Sequence, residues 1–309
     1  MKNIFRKILF GNTPVSEYVT ITVKADVKEK VYLEAGNECV DISADQWLLC
    51  LDPVVFGIWL TKDKSTITSE KKQEYKMIFT DSGKDNKTVA VITLAYFNKI
   101  EEQEGTLFLL RMVNTRISHI NFIKTRLLFQ RYYKKPGQNF DQLKSYAAAY
   151  SYPRRVRVIS FKEEGHYNIF PMDLAGEIPQ SRHYVFGLRH TNVTLARIIE
   201  TKKMVVSEVP FEYKEIIYQL GKHHRGAPLV AALNFATIQT GHFNFPVPAW
   251  ANSYKELKIV KTINLGSHML LWGEMVNEKK LIEPTGNLYH IHFLHYLHQK
   301  TNGLAYPLV

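Results

Sequence analysis

Short runs in which every second residue is apolar recur along this chain, and they limit its possible folds more than any other feature. In YVTITVKADVKEKVYL, from Tyr18, the residues Val19, Ile21 and Val23, then Val31 and Leu33, share one side of an extended backbone across a charged connector. That pattern predicts a β-hairpin half-buried on one face. WLLCLDPVVFGIWL, from Trp47, is a continuous apolar run interrupted by Asp52-Pro53, which suits a buried strand that turns or bulges at the proline. KMIF, TVAVITLAYF and TLFLLRMV extend the series, while KDKSTITSEKKQEYK, from Lys62, reads as an exposed charged excursion. Later come VRVISF, YVFGL, KMVVSEV, LKIVKTINL and MLLWGEMVN. So many strands without a regular βαβ alternation argue for a mainly β chain with some helix (α+β), a barrel carrying helices, and against a doubly wound sheet.

Helical spacing appears in three places. INFIKTRLLFQRYY carries Ile120, Ile123, Leu127 and Leu128 at near-helical intervals, and TLARIIETKK sets Leu195, Ile198 and Ile199 on one face. PFEYKEIIYQLGKHHRG predicts an amphipathic helix with Tyr213, Ile216, Ile217 and Leu220 inward, stopped by Gly221 as its C′ residue. A chain of 309 residues favours two domains over one. The change of pattern after KKPGQNF, where PRRVRV opens a new unit, puts the boundary near residue 150, giving domains 1–150 and 151–309. EGTLFLLRMVN, ending at Asn114, echoes LGSHMLLWGEMVN, ending at Asn277, which suggests an internal duplication.

The formal charge of +11 invites an anionic partner. Its densest groups, Arg131–Lys135 and Arg154–Arg157, have neither the spacing of a basic helix nor an RNA-binding signature, so nucleic acid is not expected. The apolar run Ile8–Phe10 is too short for a secretory or membrane-spanning segment, and no later segment is long enough, so a cytoplasmic protein without membrane contact is expected. Two cysteines, Cys39 and Cys50, do not make a disulfide framework or a zinc site. Eleven of the twelve histidines follow residue 160. His290 and His292 share a strand face, with His295 and His298 at helical spacing, yet no acidic or cysteine partner stands at a fixed interval and no metal is expected. Ser267 beside His268 lacks a nucleophile elbow and carries no hydrolase reading.

The densest chemistry lies from Gly165 to Pro210. Thr191, Asn192 and Thr194 stand where a helix begins, with Arg189 just upstream. Free amides, hydroxyls and a guanidinium fork suit a terminal phosphate. The same residues also fit an ordinary helix cap and a solvated strand end. Before them, Asn168-Ile169-Phe170-Pro171-Met172-Asp173 reads as a loop, because Pro171 lacks an N–H and cannot complete a ladder. Backbone groups beside an apolar cluster suit the edge and faces of a flat heteroaromatic ring, and such a ring with a phosphate tail describes FMN. In GKHHRG, His223 and His224 either cap the preceding helix or bring this loop to the ligand.

At these positions the chain resembles the flavin reductase-like proteins of the FMN-binding split-barrel fold, including flavoredoxin-like members. Their N-x-x-P-x-S turn appears as Asn168, Pro171 and Asp173, with aspartate where serine is usual. Their D-T-x-x-N-I-x-x-T pattern appears from Val193 to Thr201, keeping Thr194, Ile198 and Thr201 but not the aspartate or asparagine. Val205-Val206-Ser207 stands for V-V-N, Gly266-Ser267-His268 for G-D-H, and Leu288-Tyr289-His290 with Tyr296 for the closing positions. The likeness spans about residues 155 to 298. LLCLDPVVFGIWL is similar to the family's S-x-x-P-P-x-V strand, which implies a second, divergent split barrel in the first half.

The resemblance implies an FMN flavoprotein that exchanges hydride or electrons with NAD(P)H and an acceptor, which can be a redox partner protein. The flavin would lie at a homodimer interface or an intrachain pseudo-dimer interface. Asn168, Pro171, Met172 and Asp173 are expected along the ring edge, mainly by backbone, and Arg189, Thr191 and Thr194 at the phosphate, with Lys222, His223 and His268 as further contacts. If the Asp173 carboxylate faced the ligand, Arg189 or Lys222 would have to balance it. The alternatives are a split barrel that has lost flavin and serves as a binding module, or a pocket for another phosphorylated or planar ligand.

Overall fold

The computed structural model describes residues 16–24, 26–62, 64, 74–118, 121–130, 140–178, 181–228, 233–283 and 285–309. The Ile8–Phe10 run, most of the charged insert after Lys62, His119 and Ile120, the basic group Arg131–Lys135 and most of the KKPGQNF turn lie outside the described residues.

The chain is mainly β with helices at the sheet ends, and its strands curl into half-barrels. The first sheet contains β2 (Val31–Ala35), β3 (Glu38–Asp41), β4 (Gln46–Leu51), β5 (Val54–Thr61), β6 (Tyr75–Thr80), β7 (Thr88–Glu101) and β8 (Gly105–Ile117), in the order β3-β2-β6-β7-β8-β5-β4. The second contains β10 (Arg157–Glu163), β11 (His166–Met172), β12 (Ala175–Glu177), β13 (His183–Arg189), β14 (Lys203–Glu208), β17 (Ser253–Asn264) and β18 (His268–Lys280), in the order β11-β10-β14-β17-β18-β13-β12. These two orders are the same when strands are counted from each sheet's start. The echoing segments of the sequence occupy equivalent places, β8 and β18. The long strands carry bulges, between Tyr96 and Asn98 in β7 and between Ile259 and Lys261 in β17.

A smaller sheet, ordered β1-β19-β9, joins the two ends of the chain: β1 (Tyr18–Val23) pairs with β19 (Asn287–His292), which pairs with β9 (Arg154–Arg155). A minor pair, β15 (Thr237–Gln239) and β16 (Pro246–Pro248), stands apart. The expected hairpin from Tyr18 to Leu33 therefore does not form. Both of its strands exist, but β2 pairs with β3 and β6, and β1 finds its partner at the far end of the chain. Alternation sets which face of a strand is buried and leaves its partner open.

Each large sheet has its own core. Leu33, Phe56, Met77, Ile92 and Leu110 fill the first, covered by Tyr146 and Ala149 of the helix Phe140–Ala149. Phe161, Phe170, Phe186, Val205 and Leu257 fill the second, with Leu195 and Ile198 of the helix Leu195–Thr201 packed against them. A third apolar cluster welds the sheets together, Trp47, Leu49, Val55 and Trp59 meeting Val185, Leu270 and Trp272. At Gly187 the approach is so close that an added Cβ would sit 1.7 Å from the Leu49 carbonyl oxygen, so only glycine fits.

Two local expectations change. Residues 166–172 are a strand, paired with β10 so that Pro171 faces Val158. β11 is the edge of its sheet, the one place where a proline's missing N–H leaves no ladder bond unmade. The amphipathic helix from Phe211 is broken into a 3₁₀ turn Phe211–Tyr213, an α-helix Lys214–Gln219 and a second 3₁₀ turn Leu220–His224. Gly221 follows the Leu220 C-cap of the α-helix, in the expected C′ position, and the chain continues there as the second 3₁₀ turn. Tyr213 is exposed and stacks flat on Trp250, with ring centroids 4.4 Å apart.

Candidate functional site

A cavity of about 760 Å³ opens where the end of β11, the end of β13 and the 3₁₀ turn Leu220–His224 meet residues of the first half. Strand pairing explains much of the convergence. Arg189 at the end of β13 lies opposite His268 at the start of β18, so two residues far apart in sequence become neighbours. Pro171, Met172 and Asp173 border the cavity from β11 and its exit, and Leu188, Arg189 and Thr191 from β13 and its exit. Lys222, His224 and Arg225 come from the turn. The first half contributes Leu51, Tyr18 and Tyr150. Arg189, Thr191, Lys222 and Arg225 are exposed, which makes the rim cationic, while Met172, Leu188 and Tyr150 are buried and form an apolar floor.

Of the ten candidate residues, the structure thus brings seven to one cavity: Pro171, Met172, Asp173, Arg189, Thr191, Lys222 and His268. It places Asn168, Thr194 and His223 behind the wall, all buried. Asn168 Nδ2 donates to Thr194 Oγ1 at 2.6 Å and to the His223 carbonyl at 3.0 Å. The Thr194 N–H is also taken, donating to Asn192 Oδ1 at 2.8 Å. Neither the hydroxyl nor the amide of Thr194 is thus left over for a ligand, and the helix behind it is only seven residues long. His223 donates from Nδ1 to the Ile169 carbonyl at 2.7 Å, and His224 from Nε2 to the Pro171 carbonyl at 2.9 Å. These two rings cover the free edge of β11, so the edge carbonyls expected to meet a ring system are already satisfied at residues 169 and 171.

Asp173 is held from the first half and the third sheet. Its Oδ2 accepts from the Tyr150 hydroxyl and from His290 Nδ1, each at 2.9 Å. Burial alone would raise this carboxyl, but the hydrogen bonds from His290 and Tyr150 outweigh it and keep it below the ordinary carboxylate value. The partners foreseen for its charge, Arg189 and Lys222, are not the ones it has. His290 continues through Nε2 to the Tyr218 hydroxyl at 2.6 Å, and Tyr218 to Thr20.

His268 carries the most informative atom. It is 1% exposed, and its Nδ1 meets the Ser267 hydroxyl at 2.8 Å. Burial first, then Arg189 and His190, push its pKa down to about 3, so the ring is neutral at physiological pH. Its Nε2 is buried without a protein partner.

Tyr18, Tyr150, His224, Arg225 and His290 complete the site. His224 was legible as half of the GKHHRG pair and His290 as part of a histidine cluster. Tyr18 and Tyr150 had no local signal, because the β1–β19 pairing and the end of the helix Phe140–Ala149 bring them in. Among the described residues, no group of three or more His, Cys, Asp or Glu is gathered as a metal set, and no helix is long and apolar enough to cross a membrane.

No family model matches the sequence, and no curated protein matches it. Solved structures are similar to it in part. The FMN-binding protein from Thermus thermophilus is 18% identical over 42% of this chain and 71% of its own length, with a TM-score of 0.37. The NADH:FAD oxidoreductase of Streptomyces globisporus is 14% identical over 50% of this chain and 94% of its own, with a TM-score of 0.44. The styrene monooxygenase flavin reductase from Pseudomonas putida is 15% identical over 44% of this chain and 86% of its own, with a TM-score of 0.38.

Proposed function

We propose that the cavity binds a phosphorylated flavin of the FMN type, and that the protein passes hydride or electrons between NAD(P)H, that flavin and an acceptor. The observation that carries this is a cavity with a cationic rim and an apolar floor, lined also by His268, whose Nε2 is buried without a protein partner. The residues present suit the group. Arg189, Thr191, Lys222 and Arg225 match the phosphate with donors and positive charge. Met172, Leu51 and Leu188, with the rings of Tyr18 and Tyr150, offer surface to a planar ring. The volume of about 760 Å³ falls inside the range of roughly 300–1,000 Å³ typical of small-molecule sites.

When bound, the flavin supplies the hydride chemistry. The chain binds, orients and shields. Tyr18 and Tyr150 exclude water from one side, the rim holds the phosphate, and the tie from Asp173 to Tyr150 and His290 gives its carboxylate partners other than the ligand. No side chain is required as an acid or base.

A yellow preparation absorbing near about 450 nm, or uptake of FMN on titration, is the expected result. Colourless protein that takes up no FMN removes the proposal. Bleaching by NADH or NADPH without oxygen would mark a reductase, and its absence in FMN-loaded protein a carrier reduced by a partner protein. One observation favours a second reading, a cavity for another phosphorylated or planar ligand: Thr194 and Asn168 are spent on each other, leaving phosphate recognition to rim side chains. Binding of a different phosphorylated aromatic compound by protein that refuses FMN would decide for it.

A further inference from the structure

A second cavity, of about 650 Å³, shares Asp173 with the first and lies between the turn at Ser43–Gln46, the chain following β1 and the segment Tyr152–Arg157. The turn before β4 links β3 to β4 as Asp173-Leu174 links β11 to β12. The two cavities thus border corresponding corners of the two sheets.

Among the residues lining it is Arg154, 4% exposed. The guanidinium donates through Nε and Nη2 to the Ala149 carbonyl at 3.1 and 2.9 Å, and through Nη1 to Gln46 Oε1 at 2.7 Å. It also lies over the rings of Phe56 and Tyr152, at 5.8 and 5.6 Å from their centroids. All of these partners are neutral, and Arg154 enters no ion pair among the described residues. Burial lowers its pKa to about 10, which leaves it charged at neutral pH. The Asp173 carboxylate favours this charge only through space, without an ion pair, and a buried cation whose hydrogen-bond partners are all neutral is poorly compensated.

Gln46 adds an independent sign. It is 3% exposed, and because its Oε1 is held by Arg154 the amide cannot flip, so its Nε2 donors stay buried with no acceptor. The other charges bordering the cavity are mostly accounted for. Glu208 pairs with Arg155 and Arg157 at 2.7 and 2.8 Å, Asp41 with Lys30 at 3.3 Å, and Asp173 is engaged by Tyr150 and His290. Asp26 and Lys24 stand at the exposed edge. What remains inside is a cation without an ion pair and an amide donor without an acceptor.

We propose that this cavity is a second binding site, separate from the flavin proposal, for a small anion whose carboxylate or phosphate oxygens are received by Arg154 and Gln46 Nε2, with Lys24 at the rim. Gln46→Glu tests it, because the new carboxylate supplies the missing counter-charge in nearly the same volume. The full-length chain would be titrated by calorimetry with inorganic phosphate and, separately, with acetate, and the stronger of the two names the anion class. Saturable binding is expected, weakened at least about tenfold in Gln46→Glu with the melting temperature equal or higher, and still present in Arg189→Ala, which disables the phosphate rim of the first cavity. If Gln46→Glu does not fold, Gln46→Leu removes the orphaned donors and is expected to weaken binding in the same direction. Binding of neither anion overturns the proposal, as does binding that survives Gln46 substitution. Binding lost only in Arg189→Ala would put the anion in the first cavity and overturn it equally. FMN uptake is read independently in each variant.

Discussion

His268 is under two opposed demands. As a buried ring with an unpaired Nε2 it costs the free protein on the order of 1–3 kcal/mol, while the residue also lines the cavity proposed for flavin. His268→Leu is therefore expected to leave the melting temperature unchanged or raise it, and to weaken FMN binding about tenfold, as read by thermal denaturation and flavin titration on one preparation. Thr194 is the converse case. Its hydroxyl receives the Asn168 amide inside the wall, so Thr194→Val is expected to lower stability by about 1–2 kcal/mol in urea unfolding with flavin affinity changed little. Thr194 was legible in the sequence as a hydroxyl near a proposed phosphate, and His268 through the family resemblance as a further cofactor contact. What was not legible is the direction in which they point. Threonine beside a helix start is as suited to bonding a neighbouring amide as to meeting a ligand, and only the partner on β11 decides it.

Elements were more readable than their neighbours. Short apolar runs located β6, β7, β8, β10, β13, β14, β17 and β18, since a strand's demand for burial is a local property of sequence. They do not encode that β1 pairs with β19, and Pro171 gives β11 the look of a loop because the local sequence carries no sign of which strand forms the edge. The missing ladder partners of β11 are supplied by His223 and His224, an arrangement between segments about fifty residues apart that no local pattern encodes. Gly187 likewise looks unremarkable in YVFGL, yet β13 crosses β4 there with no room for a methyl group. Gly187→Ala would set a side chain against backbone that cannot turn aside. A loss of about 3 kcal/mol or more is expected, seen as a lower urea midpoint, together with weaker flavin uptake because Gly187 also borders the cavity.

Across the whole molecule, the two like-ordered sheets, their shared apolar seam and the sheet tying both chain ends place buried ionisable groups at the junctions between parts. This arrangement gives the fold a defined response to acid. His268 and His292 have folded pKa values of about 3, held down chiefly by burial, against ordinary values of 6.5. The unfolded chain binds their protons first, so stability falls as pH drops from about 6.5 toward 3. Glu208 works through the opposite protonation state. Burial would raise its carboxyl, but Arg157 and Arg155 outweigh that and hold it at about 2, against an ordinary 4.5. Its contribution is present above pH 4.5 and is lost as pH falls through that value toward 2. Both effects have the same sign, so the melting temperature is expected to decline below about pH 6.5 and more steeply below 4.5. Glu208→Gln leaves Arg155 and Arg157 without their shared carboxylate, which should lower stability at neutral pH and flatten the steep lower segment. Melting temperatures of both proteins from pH 8 to 3 check this. A mutant curve parallel to the wild-type curve below pH 4.5 would show that this ion-pair cluster, at the point where β10 and β14 meet the β9 strand, is not what makes the molecule acid-sensitive.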